Sequence, residues 1–226
     1  MTDTFDPNTY TAQDTFGELA AAYGDAFDRV PAQVRSVEWV TGQLTRDAKV
    51  LDVGCGTGRP ACEILVNAGL DVTGIDITPG MIEVAKSKVP GARYGVADSR
   101  KWEPSEGEAS FDAVVSFFAF IAAVSQEDIR TFFKRAYTWL RPGGVFVFGT
   151  VPVEGDNIAI RWLGRDIVVS SLNHEDSVDA IEAAGFLIEK HFTEKYTPKA
   201  AEVGICKPEE VWEEEQLFVY ARKPKQ

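Results

Sequence analysis

The spacing of apolar residues divides the chain into a helical beginning and a longer alternating part. From Phe16 to Leu44 apolar residues recur at helical intervals, and Pro31 indicates the start of a second helix. Further on, short apolar runs alternate with helical patterns. The predicted strands in that part are "KVLDV", "DVTGID", "ARYGVAD", "FDAVVSFF" and "VFVFGTV". Strands that are apolar on both faces and alternate with helices predict a parallel sheet covered on two sides.

The helical segments between these strands carry start signals. Thr78 and Pro79 are typical of the cap and first turn of a helix over "TPGMIEVAKSKV". Ser125, followed three residues later by Asp128, indicates a capping box that opens "SQEDIRTFFKRAYTWL". The segment "PACEILVNAGL" is predicted as a further helix.

The last third of the chain follows a different pattern. "IAIRWL" and "DIVVSSL" predict a hairpin that turns at "GR", and "EDSVDAIEAAG" predicts a helix that Gly185 ends. Strand-like "FLIEKHF" and "QLFVYAR" then flank an acidic loop over residues 194–214. We therefore expect the sheet to finish with an antiparallel strand.

Composition and charge exclude several classes of protein. The 226 residues, 45% apolar and 26% charged, suit one α/β domain. A net charge of −12 disfavours nucleic acid as a partner. Three cysteines without metal-type spacing, no secretion signal and no run of about 20 apolar residues predict a cytoplasmic protein that does not enter a membrane.

The glycine-rich stretch "VLDVGCGTGRP", residues 50–60, follows the first predicted strand. Gly54 and Gly56 fit the first two glycines of the dinucleotide fingerprint G-x-G-x-x-G, but Arg59 occupies the third position. Pro60 also removes a backbone N–H that a pyrophosphate would use. The stretch therefore disfavours a phosphate ligand.

Two acidic residues at neighbouring strand ends indicate an adenosine that carries no phosphate. Asp76 ends the second strand, where a carboxylate suits a ribose diol, and Asp98 ends the third, where it suits an adenine amine. Trp102 and Ile77 are candidates for apolar walls against the ring. Either acid alone is also typical of a helix cap or a solvated strand end, but the ordered pair favours the ligand.

Together these segments resemble the class I S-adenosylmethionine-dependent methyltransferases. The resemblance rests on "LDVGCGTGRP", "GIDITPGMIEVAK", "VADS", "FDAVVSFFAF" and "LRPGGVFVF", and covers about residues 16–150. "FGELAAAYG" is similar to the pattern Y-D-x-x-A-x-x-Y-D of members that act on small molecules. Phe16 stands at its first tyrosine and glycine at both aspartates.

The resemblance implies a fold and a cofactor. The fold is a Rossmann-like α/β domain with a seven-stranded, mostly parallel sheet, helices on both faces and an antiparallel final strand. Residues 1–45 would form an N-terminal helical lid, and residues 46–226 the methyltransferase domain with a substrate-covering insertion around 152–175. The cofactor would be S-adenosylmethionine, with S-adenosylhomocysteine as its product.

The resemblance also implies roles for particular residues. The glycines would admit the methionine part of the cofactor, Asp76 would bind the ribose, and Asp98 with the Ser99 N–H would read adenine. The Phe117 carbonyl would accept the cofactor's amino group and Tyr23 would fold over its methionine end. Arg59 would either offset the cofactor carboxylate or pair with a surface acid. The full predicted cofactor set is Tyr23, Gly54, Cys55, Gly56, Gly58, Arg59, Asp76, Ile77, Met81, Asp98, Ser99 and Phe117.

Candidates for substrate binding and catalysis come mostly from the tail. Of the two histidines, His174 is the candidate base, with a helix-start role as its alternative, and His191 lies in a predicted strand as a structural residue. Predicted substrate contacts, which could equally be core or hairpin packing, are Tyr10, Phe118, Arg161 and Trp162. No clustered Asp/Asn set indicates a metal, so none is predicted.

Two functions remain open from the sequence. The first is methyl transfer to a small organic molecule, at an O, N or C atom, by in-line alignment of the acceptor. The second is cofactor binding without methyl transfer, as a cyclase-like enzyme or a partner-binding module. The fourth strand ends "SFFAF" and lacks the Asn/Asp-Pro-Pro-aromatic signature of related enzymes that hold a nucleobase or glutamine nitrogen, which favours a small-molecule substrate. The sequence does not indicate an oligomeric state.

Overall fold

The computed structural model describes residues 6, 7 and 9–225, apart from the side chain of residue 14. Residues 1–5 and 8 of the predicted N-terminal lid, and residue 226, lie outside the described residues. The helices are α1 (Ala12–Ala26), α2 (Pro31–Gln43), α3 (Ala61–Asn67), α4 (Pro79–Lys88), α5 (Gln126–Trp139) and α6 (His174–Ala183). The strands are β1 (Lys49–Val53), β2 (Asp71–Asp76), β3 (Arg93–Val96), β4 (Phe111–Phe117), β5 (Leu140–Thr150), β6 (Gly155–Trp162), β7 (Arg165–Ser171), β8 (Leu187–Tyr196) and β9 (Glu214–Arg222).

Seven strands form one sheet in the order β3-β2-β1-β4-β5-β9-β8. The first five strands run parallel, and β9 runs antiparallel to both β5 and β8. The predicted Rossmann-like sheet with an antiparallel final strand is confirmed. The strand order reverses between β1 and β4, which is where open α/β sheets form a crevice at the carboxyl ends of their strands.

The two faces of the sheet are buried by different helices. Helices α2, α3 and α4 pack on one face, and α5 and α6 on the other. β5 shows the alternation directly, because Val145 and Val147 belong to the first core while Phe146 and Phe148 belong to the second. A strand covered on both faces has no polar side, which explains why β5 reads as a continuous apolar run.

The two predicted helix starts differ in detail. At α5 the capping box forms as expected: Asp128 N donates to Ser125 Oγ (3.1 Å), and Ser125 N donates to Asp128 Oδ2 (2.8 Å). At α4, Thr78 is the N-cap residue and Pro79 lies in the first turn, as predicted, although the Thr78 side chain makes no capping bond. The Thr78 N–H instead donates to the carboxylate of Asp76 (2.8 Å).

The predicted hairpin is β6–β7, a separate two-stranded sheet beside the main one. Its turn is Leu163–Gly164, one residue earlier than predicted, and both residues have positive φ (45° and 75°). Two such residues are what a two-residue hairpin turn of the right twist requires. The hairpin lies within the predicted insertion around residues 152–175.

Helix α1 packs on the hairpin turn and on the loop that follows β8. An apolar cluster of Leu19, Ala26, Leu163, Ala200 and Ile205 holds these parts together. The Lys199 N–H and the Tyr196 hydroxyl both donate to the Ala26 carbonyl (3.1 and 3.3 Å). The end of α1 is therefore anchored, and its earlier turns extend towards the carboxyl ends of the strands.

Candidate active site

A cavity of about 530 Å³ lies at the carboxyl ends of β1, β2, β3 and β4. Helix α1 and the β6–β7 hairpin contribute its opposite side. Its lining is polar beside the glycine-rich turn and mostly apolar beside the hairpin. The cavity thus joins two chemically different halves, which we call the polar half and the apolar half.

The glycine-rich turn supplies open backbone to the polar half. Gly54 and Gly56 have positive φ (72° and 52°) and both line the cavity. A Cβ at Gly54 would lie 2.1 Å from the Ala119 Cβ, whereas a Cβ at Gly56 would meet no atom within 4 Å. The space above Gly56 is therefore room in which a ligand can approach the backbone.

Gly58 and Cys55 belong to the turn without lining the cavity. A Cβ at Gly58 would lie 2.8 Å from the Tyr94 hydroxyl, so this glycine is needed for packing. Cys55 is buried and packs in the core. Of the predicted methionine-binding glycines, the structure brings two of three to the cavity.

Asp76 ties the glycine-rich turn to the end of β2. Its Oδ2 accepts from Gly56 N (3.0 Å) and its Oδ1 from Thr78 N (2.8 Å). Burial raises the pKa of this carboxyl, and the two N–H bonds partly offset the rise. The carboxylate is thus held rigidly in the cavity wall, with lone pairs left to accept hydroxyl donors.

Asp98 and Ser99 line the same half at the end of β3, together with Ile77 and Met81. Both oxygens of Asp98 accept from Arg100, whose guanidinium lowers the pKa of the carboxyl (Nε–Oδ1 2.9 Å, Nη2–Oδ2 3.0 Å). An adenine amine at this position would share these oxygens with Arg100.

Trp102, predicted as an adenine wall, lies elsewhere. It packs edge-on against Trp139 with ring centroids 5.5 Å apart, beside the core under α5. The turn after β3 carries its ring away from the cavity, so this prediction is corrected. Ile77 remains as a wall.

The apolar half is built by the hairpin, α1 and the segment after β4. Phe117 and Phe118 line it where the chain leaves β4, and Phe118 adopts a positive φ (59°) as the chain turns. Trp162 lies nearly parallel to Phe27, with centroids 6.1 Å apart. Other side chains in this half are Tyr10, Phe16, Tyr23, Ile158, Ile160, Ile167 and Val169.

Two ionisable groups lie in the cavity wall near the junction of the halves: Glu214 is buried and Tyr23 is partly buried. Glu214, at the start of β9, is 8% exposed and accepts from Trp162 Nε1 (3.0 Å). Burial raises its pKa. Burial also raises the pKa of Tyr23, and the negative charges of Glu214 and Asp76 raise it further. The sequence analysis missed Glu214, because it is one of three consecutive glutamates and only the register of β9 turns it inward.

Besides Gly58, Cys55 and Trp102, three further predicted residues are not brought to the cavity. Arg161 pairs with Asp166 (3.2 Å) on the outer side of β6, because alternation along the strand turns Ile160 and Trp162 inward. Arg59 pairs with Glu63 on α3 (3.2 Å), which is the surface alternative left open above.

His174, the predicted base, also lies away from the cavity. Its Nε2 lies 2.8 Å from His191 Nδ1, at the edge of the sheet where α6 meets β8. Neither ring lines the cavity, so this position does not support a role for His174 as base. Among the cavity-lining residues that the structure describes there is no histidine.

The described residues hold no group of three or more His, Cys, Asp or Glu side chains placed to bind a metal ion. In the same part of the chain, every helix is too short or too polar to span a bilayer.

Comparison with known proteins agrees with this fold. Residues 50–144 match the family model described as a methyltransferase domain. Sterol 24-C-methyltransferase ERG6B of Gibberella zeae is 31% identical over 185 residues, which are 75% of this chain and 47% of that one. The chain thus spans about half the length of this curated relative.

Two solved structures share the fold. A Burkholderia thailandensis 1,6-didemethyltoxoflavin-N1-methyltransferase, solved with its substrate and S-adenosylhomocysteine, superposes with a TM-score of 0.68 at 19% identity and covers 99% of this chain and 93% of its own. The [4+2]-cyclase SpnF has a TM-score of 0.60 at 19% identity, over 85% and 81% of the chains.

The sheet order, the glycine-rich turn and the acids that follow it define a class I methyltransferase domain. The chain belongs to the S-adenosylmethionine-dependent methyltransferase family, and the predicted resemblance is confirmed. The cofactor is the one predicted, S-adenosylmethionine.

Proposed function

We propose that the chain transfers a methyl group from S-adenosylmethionine to a small organic molecule. One observation carries this proposal: a single cavity of about 530 Å³ joins the polar half at Gly56 and Asp76 to the apolar half under the hairpin. A cavity of this size suits a small ligand beside a cofactor. Relatives and neighbours named for methylation of a sterol and of 1,6-didemethyltoxoflavin support a small acceptor.

The polar half fits the cofactor. The open space above Gly56 would admit its methionine part, Asp76 would accept from the ribose hydroxyls, and Asp98 with Ser99 would face adenine. When bound, the cofactor supplies an electrophilic methyl group. The protein then has to align the acceptor in line with that group and exclude water, which is worth up to about 7–11 kcal/mol of the barrier.

The apolar half would hold the acceptor. The aromatic rings of Phe27 and Trp162 and the branched side chains of the hairpin offer flat, water-excluding walls. Tyr23 lies at the junction of the halves, where it would cover the methyl end of the cofactor. We propose that α1, as the N-terminal lid, completes this enclosure.

A direct test is a methyl-transfer assay with tritium-labelled cofactor over a library of small metabolites. Labelled product together with S-adenosylhomocysteine is expected. If a product forms while the cofactor stays intact, the chain instead binds the cofactor without transferring its methyl group. The [4+2]-cyclase with this fold makes that second outcome worth measuring.

Asp76→Ala should weaken the binding of S-adenosylhomocysteine. Losing charge-assisted bonds to two hydroxyls should cost on the order of 2–4 kcal/mol, roughly 30- to 700-fold in the Kd of S-adenosylhomocysteine by calorimetry. Asp71→Ala is the matched control, because that aspartate lies on the same strand but pairs with Arg93 at the surface. A loss below tenfold in folded Asp76→Ala would contradict the proposed ribose contact.

A further inference from the structure

Glu214 places a carboxylate in the cavity wall beside Trp162, near the junction of the two halves, where the surrounding side chains are mostly uncharged. It is 8% exposed, and its Oε1 accepts from Trp162 Nε1 at 3.0 Å. Within the described residues, the hydrogen bond of its Oε2 is a long one with Gln216 Nε2, at 3.5 Å. One oxygen is therefore well bonded and the other retains hydrogen-bonding capacity.

The charge of Glu214 has no counter-charge in the described part of the protein. Its two hydrogen-bond partners, Trp162 and Gln216, are neutral, and none of the ion pairs there includes it. Arg100, the cation in the cavity lining, is held by Asp98 at the other end. A buried carboxylate without a counter-charge is costly.

Holding Trp162 in place does not require this charge. A glutamine would accept the same indole N–H with a neutral carbonyl oxygen. The glutamates on either side show the ordinary alternative, because Glu213 and Glu215 are exposed and Glu213 pairs with Lys195 (2.9 Å). Glu214 alone of the three is turned into the cavity.

We propose that Glu214 is a specificity-determining residue that binds an N–H group of the substrate, so that the acceptor molecule is an apolar amine or N–H heterocycle. The inference rests on the proposed function, since it concerns the molecule held in the same cavity. A charge-assisted N–H···O⁻ bond in a dry site satisfies the free oxygen and is stronger than a neutral bond. An anionic molecule of the same shape would be repelled.

The apolar half of the cavity offers surfaces against which the apolar part of such a molecule can pack. Trp162 holds its ring beside Phe27, and Ile158, Ile160 and Val169 line the hairpin side. A flat ring lying along these walls would place a short amine arm near the Glu214 carboxylate. The arrangement therefore favours a substrate that has an apolar surface and one N–H donor.

Calorimetry with two probes of matched shape tests the inference. 2-Naphthylmethylamine and 2-naphthoic acid are titrated into the full chain saturated with S-adenosylhomocysteine. We expect the amine to bind at least about tenfold more tightly than the acid. Glu214→Gln should reduce amine affinity by a similar factor while leaving the affinity for S-adenosylhomocysteine within about threefold of the original protein.

Glu215→Gln is the matched control and should retain the preference for the amine, because its side chain is exposed. Glu214→Asp keeps the charge and should retain more of the preference than Glu214→Gln does. Circular dichroism and thermal unfolding establish that each variant is folded.

Three outcomes would overturn the inference: no binding of the amine, equal binding of the two probes, or a preference that survives in Glu214→Gln. Failure of S-adenosylhomocysteine to bind the unmutated chain would instead contradict the proposed function. The two failures are therefore distinguishable within one set of titrations.

Discussion

At the scale of single residues, the least expected group is Asp52 in β1. It is 2% exposed beneath the glycine-rich turn, and its Oδ2 lies 3.2 Å from the Cys62 Sγ on α3. Burial raises the pKa of this carboxyl to about 7. Below about pH 7 the folded protein therefore holds the protonated acid, which keeps a charge out of the core.

This position makes stability depend on pH in a defined direction. Because an exposed aspartic acid has a pKa near 3.9, the unfolded chain loses this proton near pH 4. The folded chain keeps it until about pH 7, so between these values only the folded state binds the proton. The contribution of Asp52 to stability should thus fall by up to roughly 4 kcal/mol as the pH rises through that window, and then stay constant.

Asp52→Asn should remove that dependence, because a neutral amide of the same shape carries no ionisation. In thermal unfolding, the melting temperature of the variant relative to the original protein should rise from pH 5 to pH 8. Asp71→Asn, a substitution at a surface ion pair, should not show this gain. Parallel pH profiles for Asp52→Asn and the original protein would contradict a buried neutral acid.

The same scale shows what the sequence could and could not predict. Gly56 and Asp76 line the cavity as predicted, because their positions depend on local turn geometry and on a strand end, which adjacent residues define. Glu214 and Asp52 were not predicted, because a side chain's direction and burial depend on register between distant strands. Arg161 and Trp162 are neighbours that a resemblance cannot separate, yet strand alternation turns one outward and one inward.

At the scale of elements, the segment that bears on access to the cavity is α1. Tyr23 contacts Phe16 edge-on (5.3 Å) and Phe27 (4.6 Å), so one aromatic row runs along the helix and its end to Trp162 on the hairpin. The end of α1 is anchored by the Ala26 carbonyl, whereas the side chain of Gln13 makes only a long contact with the Ile77 carbonyl (3.4 Å). The last turn of the helix is thus hydrogen-bonded to the segment after β8, while its first turns pack on α4 near Gly80.

We expect the beginning of α1 to open in the free protein and close over bound cofactor, since a lid must open to release product. Hydrogen exchange should show protection of residues 12–18 that rises with S-adenosylhomocysteine, while residues 22–26 change less. Tyr23→Ala should lose the ligand-dependent protection. Strong protection of the whole helix in both states would show instead that α1 is permanently docked.

At the scale of the whole molecule, the cavity decides which cofactor binds. Thermal unfolding should show that S-adenosylhomocysteine at about 100 times its Kd stabilises the protein by about 2.7 kcal/mol, whereas NAD at the same concentration gives no shift. The reason is that Asp76 and Gly56 suit a ribose and a methionine chain, while Arg59 is bound to Glu63 and Pro60 lacks an N–H for a pyrophosphate. A shift with NAD alone would contradict the assignment.

The sheet order also sets a sequence of events during synthesis. Among the strands that the structure describes, β8 pairs only with β9, and β9 pairs with β5 on its other side. During synthesis β8 is therefore made before β9, the strand that connects it to the sheet. Until β9 pairs with β5, the edge of β5 is unpaired and can bind strands of other chains. β9 begins with Glu214. The strand that covers the edge of β5 therefore also brings this charged side chain into the cavity wall. Pairing of β9 therefore covers the edge of β5 and completes the cavity wall in the same step.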